Sequence, residues 1–136
     1  MRLLLDINVL LDVAFQRPGE PASSTIIASC GREHEGWLAW HTLATLAYII
    51  ERQSSAATAR SFISGLLTWA DIAPTGRGDA ARALTWPMPD YEDALQAAAA
   101  QACGAHWIIT RNESDFAASP VGALSPEAFL AHYPLP

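Results

Sequence analysis

Hydrophobic and polar positions follow two different spacings along this chain, and the first change between them occurs at Asp6. Leu3–Leu5 is a run of aliphatic residues, which is typical of a strand covered by helices on both faces of a parallel sheet. The next apolar residues, from Val9 to Ala14, have helical spacing. Ligands of open parallel sheets bind just outside the carboxyl ends of the strands. Asp6 is therefore either part of a functional site or the N-cap of the first helix.

The same spacings predict the other elements of the chain. Further strands are expected over residues 37–40, 69–74, 106–110 and 121–124. Helices are expected over residues 6–16, 21–31, 41–53, 54–67, 78–84, 90–102 and from 125 onward. Strands that alternate with helices indicate an α/β fold with a parallel sheet. The length of 136 residues fits a single domain over residues 1–136.

The amino-acid composition excludes several classes of function. The net charge of −6 disfavours a protein that simply coats nucleic acid, whose affinity would rest on basic side chains. A nuclease that gathers carboxylates around divalent cations remains compatible with this charge. All eight basic residues are arginines, so the chain lacks the lysine that a phosphorelay receiver normally needs, and this class of function is disfavoured. Cys30 and Cys103 lack zinc or redox spacing, and both are expected to be buried. With no signal peptide or membrane-length apolar run, we expect a cytoplasmic protein without membrane contact.

Acidic residues stand at turns where parallel strands end. Asp6 and Asp115 each follow a predicted strand, and Asp93 lies in the first turn of the helix that precedes the fourth strand. A right-handed crossover brings this helix start to the same edge of the sheet. Three carboxylates converging there would repel one another unless a cation held them. Oxygen-only ligands suit Mg²⁺ or Mn²⁺.

Several other polar residues near these turns have simpler explanations. Asp90 is expected to cap the helix that contains Asp93, because acids are favoured at helix starts. Asp12 is expected to be solvated. The four histidines, which lack metal-ligand spacing, are expected at the surface or at strand ends.

Three segments of the sequence resemble motifs of PIN-domain proteins. They are the opening segment 4–12, the acidic helix 93–99 and the acidic turn 109–116. The resemblance implies a three-layer α/β/α domain with a central, mainly parallel sheet and a Mg²⁺ or Mn²⁺ site that cleaves RNA. It also implies the toxin role of a toxin-antitoxin pair, with a cognate antitoxin and a homodimer as partners. Carried over by position, the catalytic, metal-binding acids are Asp6, Asp93 and Asp115, supported by Asn8, Asp90, Thr110 and Asn112.

One position departs from the family pattern. Thr45 stands in the helix after the second strand, where the family usually has an acid, commonly glutamate. Glu51 is six residues further on and lies on a different face, about 9 Å along the helix. Two hypotheses follow: a Mg²⁺-dependent ribonuclease whose activity is reduced by the missing acid, with Thr45 as a supporting hydroxyl, or a PIN-fold binding module that acts through a protein partner or RNA. Trp37, Trp40 and Trp86 are candidates for a dimer surface, although core burial is expected for most of them.

Overall fold

The computed structural model describes all 136 residues, from Met1 to Pro136, as five strands and seven helices. The strands are β1 (Arg2–Leu5), β2 (Glu35–Leu38), β3 (Ala70–Ile72), β4 (Trp107–Ile109) and β5 (Ala123–Leu124). The helices are α1 (Ile7–Ala14), α2 (Glu20–Ser29), α3 (Trp40–Gln53), α4 (Ala56–Leu66), α5 (Arg77–Ala83), α6 (Tyr91–Ala102) and α7 (Pro126–His132). A 3-10 turn spans Glu113–Phe116.

The five strands form one parallel sheet in the order β3-β2-β1-β4-β5. β1 is its central strand, and Leu5 is in register with Ile109 of β4. All carboxyl ends therefore meet at one edge of the sheet, which we call the carboxyl rim. The predicted three-layer α/β/α fold with a mainly parallel sheet is confirmed, and the sheet is parallel throughout.

The side chains of β1 alternate between two cores. Leu3 and Leu5 pack with α1, α2, α3, α4 and α7 on one face, where Phe129 is fully buried. Leu4 packs on the other face, mainly against buried alanines of α6. These small side chains let α6 lie close to β1 and β4, so the helix start is held at the carboxyl rim.

Two features differ from the sequence-based expectations. β2 begins and ends two residues earlier than predicted, because Trp40 already starts α3 and is 71% exposed. Trp40 is therefore not a core residue.

Both cysteines are buried and free, as expected. None of the seven helices is long and apolar enough to span a membrane.

Candidate functional site

Asp6 lies at the centre of the carboxyl rim, at the junction of β1 and α1. Its side chain is only 4% exposed. The Ile7 backbone N–H donates to Oδ1 at 2.8 Å, so Asp6 is the N-cap of α1. Oδ2 accepts a 2.8 Å hydrogen bond from the hydroxyl of Thr110, which follows β4. Asp6 thus both caps the helix and presents a fixed carboxylate at the rim.

Thr110 joins the carboxyl ends of β1 and β4 through this bond. It is fully buried, and its hydroxyl also accepts from the backbone N–H of Asn112 at 3.1 Å. The Asn112 side chain is exposed. Thr110 therefore holds Asp6 in one orientation, while Asn112 supports it through its backbone.

The start of α6 brings three more acids to this edge. Asp90 caps the helix, since its Oδ1 accepts from the backbone N–H groups of Glu92 and Asp93. Ligand oxygens of Asp90, Glu92 and Asp93 lie within 4.8 Å of one another. Burial, followed by the negative charges of Asp90, Glu92 and Asp6, raises the pKa of Asp93 to about 7. Burial also raises the pKa of Asp6, and the charge of Glu92 contributes.

A polar network links α6 to the start of α3. Glu92 accepts hydrogen bonds from His41 Nε2 and Gln96 Nε2, both at 3.2 Å. The contact with His41 holds the pKa of Glu92 below its usual range. Gln96 is fully buried and also donates to Thr42 at 2.9 Å. No role was predicted for Glu92, His41 or Gln96 from the sequence. The four-residue spacing of Glu92 and Gln96 was the available signal, because it places both on one helix face.

The remaining predicted site residues are Asp115, Thr45 and Asn8. Asp115 is exposed in the 3-10 turn after β4, anchored by the buried Phe116, and its carboxylate is not among the acidic oxygens grouped at the start of α6. Thr45 is half-buried and donates to the backbone carbonyl of its own helix at His41, 3.2 Å away. Asn8 Oδ1 accepts from Arg17 at 3.4 Å.

Asp12 contradicts the expectation of a solvated side chain. It is 4% exposed and pairs with Arg111 Nε at 2.7 Å. Asp6 is buried to the same extent as Asp12, but no ion pair reaches Asp6 or Asp93. Buried carboxylates without a cationic partner are costly. The oxygen-only donor set and the lack of a counter-charge fit a divalent cation.

A family model described as a PIN domain matches residues 2–114. The chain belongs to the PIN domain family. PIN domains are in general nucleases. The resemblance to PIN-domain proteins drawn from the three motifs is thereby confirmed. No curated protein matches the sequence significantly.

Solved structures share this PIN fold at low sequence identity. VapBC2 from Rickettsia felis, bound to a DNA fragment from its promoter, has a TM-score of 0.69 at 15% identity and covers 92% of this chain and 98% of that chain. A toxin-antitoxin complex from Klebsiella pneumoniae has a TM-score of 0.70 at 22% identity, with 91% and 97% covered. FitAcB from Neisseria gonorrhoeae has a TM-score of 0.67 at 18% identity, with 92% and 98% covered. At these identities the similarity concerns the fold.

The pKa of Asp93 predicts how the stability of the metal-free PIN domain depends on pH. Its folded-state pKa of about 7 exceeds the ordinary value of 3.8. The folded state therefore binds the proton more tightly, and this contribution to stability is full below about pH 4 and lost as the pH rises through 7. In EDTA, urea unfolding should show lower stability at pH 8 than at pH 5.5. Asp93→Asn should flatten this dependence of stability on pH. An equally steep dependence in that variant would show that another titratable group causes it.

Proposed function

We propose that this PIN domain is a metal-dependent ribonuclease and the toxin of a toxin-antitoxin pair. The observation that carries the proposal is the contrast at the rim: Asp12 is neutralised by Arg111, whereas Asp6 is equally buried beside acids and has no cationic partner. Asp6, Asp93 and Asp115 would hold Mg²⁺ or Mn²⁺. When bound, such an ion supplies an activated water and offsets negative charge on the phosphate in the transition state.

The surrounding residues have distinct tasks in this proposal. Thr110 orients the Asp6 carboxylate, and Asp90 fixes the first turn of α6, so that Asp93 is held at the rim. Preorganised carboxylates lower the cost of assembling the site for each reaction. Asn8, in the first turn of α1, and Asn112, after β4, would support the site. Thr45 adds a hydroxyl on the α3 side but no charge.

We also infer a cognate antitoxin and a homodimer as partners. The structural neighbours are toxin-antitoxin complexes with this fold, which supports an antitoxin partner. The large exposed side chain of Trp40 supports a further protein contact. An antitoxin would explain how a cell tolerates an RNA-cleaving chain.

The proposal is tested by RNA cleavage with purified protein. Native protein should degrade single-stranded RNA in Mg²⁺ or Mn²⁺ and stop when EDTA is added in excess. Asp93→Asn should lose about 100-fold or more of this activity, as expected when a group that positions transition-state charge stabilisation is removed. Glu33→Gln, which alters an exposed acid in the α2–β2 loop, is the matched control and should retain activity.

Native protein that does not cleave RNA with either ion would contradict the ribonuclease. Binding of an antitoxin by such a protein would favour the second candidate, a PIN-fold binding module. Thr45 is the observation that favours this candidate, since it removes a charge that the family usually places there. Equal cleavage by the native protein and the Asp93→Asn variant would show that Asp93 is not a residue of the active site.

A further inference from the structure

A cavity of about 140 Å³ lies between the start of α3, the first half of α5 and the middle of α6. Leu95, Ala98 and Ala99 of α6 form an apolar wall. His41 of α3 and Asp79 of α5 are among the polar residues that line the rest. Pockets that hold drug-sized ligands begin at about 300 Å³. This cavity is therefore sized for one small group and not for a whole nucleotide.

The cavity lies next to the carboxyl rim. His41 lines it, and Nε2 of the same residue is 3.2 Å from Oε1 of Glu92, an acid of the rim. Leu95 and Ala99 follow Glu92 on one face of α6, at the i+3 and i+7 positions. The cavity thus begins about one helical turn, roughly 5 Å, from Glu92. An RNA strand with a phosphate at the rim can place a neighbouring base in it.

Two hydrogen bonds between side chains of one helix and groups of the other hold α5 against α6. The Tyr91 hydroxyl, at the start of α6, donates to the Ala80 carbonyl at 2.9 Å. Arg82 Nε donates to Gln101 Oε1, near the end of α6, at 2.8 Å. The residues of α6 that line the cavity lie between these two contacts. The cavity is therefore preformed, which lowers the cost of binding a ligand.

Asp79 determines which ligands this cavity favours. Its Oδ2 accepts from the Gly76 N–H at 2.9 Å and its Oδ1 from Arg82 Nη2 at 2.6 Å. These bonds hold the pKa of Asp79 below its usual range, so the carboxylate is ionised and fixed in place. A carboxylate has about four acceptor sites, so further N–H donors can bind. No arginine lines the cavity, which leaves an anionic phosphate without a cationic partner there.

A nucleobase has the chemistry that these walls select. It is neutral and planar, so its faces pack against apolar side chains while its edge forms hydrogen bonds. Guanine presents two adjacent N–H donors, at N1 and N2, which match the two oxygens of a carboxylate. Uracil presents one N–H between two carbonyl acceptors, and these would face the negative charge of Asp79. The cavity therefore favours guanine over uracil.

We propose that this cavity holds one guanine base of the RNA substrate, next to the phosphate at the rim, and that Asp79 is the residue that selects it. This inference rests on the proposed ribonuclease function and adds a base preference to it. A free guanine nucleoside offers the same donors, so the test must separate the two sources.

Binding of labelled single-stranded RNA to the full chain, measured by fluorescence anisotropy in EDTA, tests the proposal without cleavage. An oligouridine that carries one guanine should bind about 10-fold more tightly than the same strand with uracil at that position, by the scale of one bidentate base contact. Inosine there should bind with intermediate affinity, because it lacks the amino group at N2. Equal affinity for the guanine and uracil strands, or no binding of either, would overturn the proposal.

Two variants locate this preference in the cavity. Ala80→Leu, which fills the cavity, and Asp79→Asn, which removes the charge but keeps an acceptor for the Gly76 N–H, should each abolish it. Ala81→Leu is the matched control, since it adds the same side chain at an exposed position of α5. Thermal unfolding should show that all three variants are folded. A guanine preference that survives in Ala80→Leu and Asp79→Asn would overturn the assignment to this cavity.

Competition separates RNA from a free nucleoside. Guanosine should displace the labelled strand only at a concentration about 100-fold above that of unlabelled guanine-containing RNA, because the linked nucleotides add contacts. Displacement at equal concentrations would overturn RNA as the ligand. Failure of any of these binding results is distinguishable from failure of the ribonuclease proposal, which is tested separately by cleavage in Mg²⁺ or Mn²⁺ and by Asp93→Asn.

Discussion

Replacing Asp6 with asparagine is expected to abolish RNA cleavage and to stabilise the metal-free protein. The buried carboxylate has no cationic partner, and its pKa is raised by burial, so the folded state bears the cost of an unneutralised charge. Asparagine removes that charge at nearly the same volume. We expect the free energy of unfolding to increase by about 1 kcal/mol, which is typical when a residue needed for function is replaced by a more stabilising one. Cleavage should fall about 100-fold or more.

The geometry around Asp6 allows this substitution. The carbonyl oxygen of the introduced amide can keep the bond from the Ile7 N–H, and the Thr110 hydroxyl can accept from the amide nitrogen, since a hydroxyl has two lone pairs. Thermal unfolding in EDTA should show a rise of about 4 °C per kcal/mol. Asp71→Asn, which alters an exposed acid of β3, should change neither property. A destabilised Asp6→Asn protein would contradict an uncompensated charge at this position.

The Arg111→Met variant is expected to lose about 3–5 kcal/mol of stability, because a buried carboxylate is left without its partner. Arg111 uses all three guanidinium nitrogens. Nε donates to Asp12 at 2.7 Å, Nη1 to Glu127 at 2.7 Å, and Nη2 to the Gly19 carbonyl at 2.6 Å. These contacts join the β4 exit to α1, α7 and the start of α2. A Cβ at Gly19 would overlap the guanidinium, so the packing there is close.

Urea unfolding measures this loss. Arg60→Met removes an exposed arginine of α4 and should shift stability by less than about 0.5 kcal/mol. In the double variant Asp12→Asn/Arg111→Met the buried charge is gone, so the loss should be clearly smaller than in Arg111→Met. If the single and double variants are equally unstable, packing around the arginine is responsible and the ion pair is not.

Short-range sequence patterns were sufficient to predict the fold and the position of Asp6 at the centre of the rim. A run of aliphatic residues that ends in Asp6 is a short-range pattern, and so are the alanine spacing of α6 and the polar residues after β4. The position of Asp6 at the carboxyl edge follows from strand direction alone. The Asp90 cap was likewise predictable from the acids that follow it.

Other contacts depend on tertiary packing that no local pattern encodes. The burial of Asp12 was not predicted, because its partner Arg111 is 99 residues away in the sequence. Nothing near residue 40 distinguishes a buried tryptophan from the exposed Trp40. The bond between His41 and Glu92 spans 51 residues and depends on two helix starts meeting at the rim. Charge and polarity identify such residues, but only the packed fold identifies their partners.

The central place of β1 in the sheet has a consequence for synthesis of the protein. Asp6 leaves the ribosome well before its hydrogen-bond donor Thr110, which is 104 residues later in the chain. The strand that must pair with β1 on that side is β4, so the ladder through the middle of the sheet closes only after β4 has been translated. The rim therefore stays incomplete while the residues between β1 and β4 are synthesised, and whatever chemistry the assembled rim performs begins only after β4 has left the ribosome.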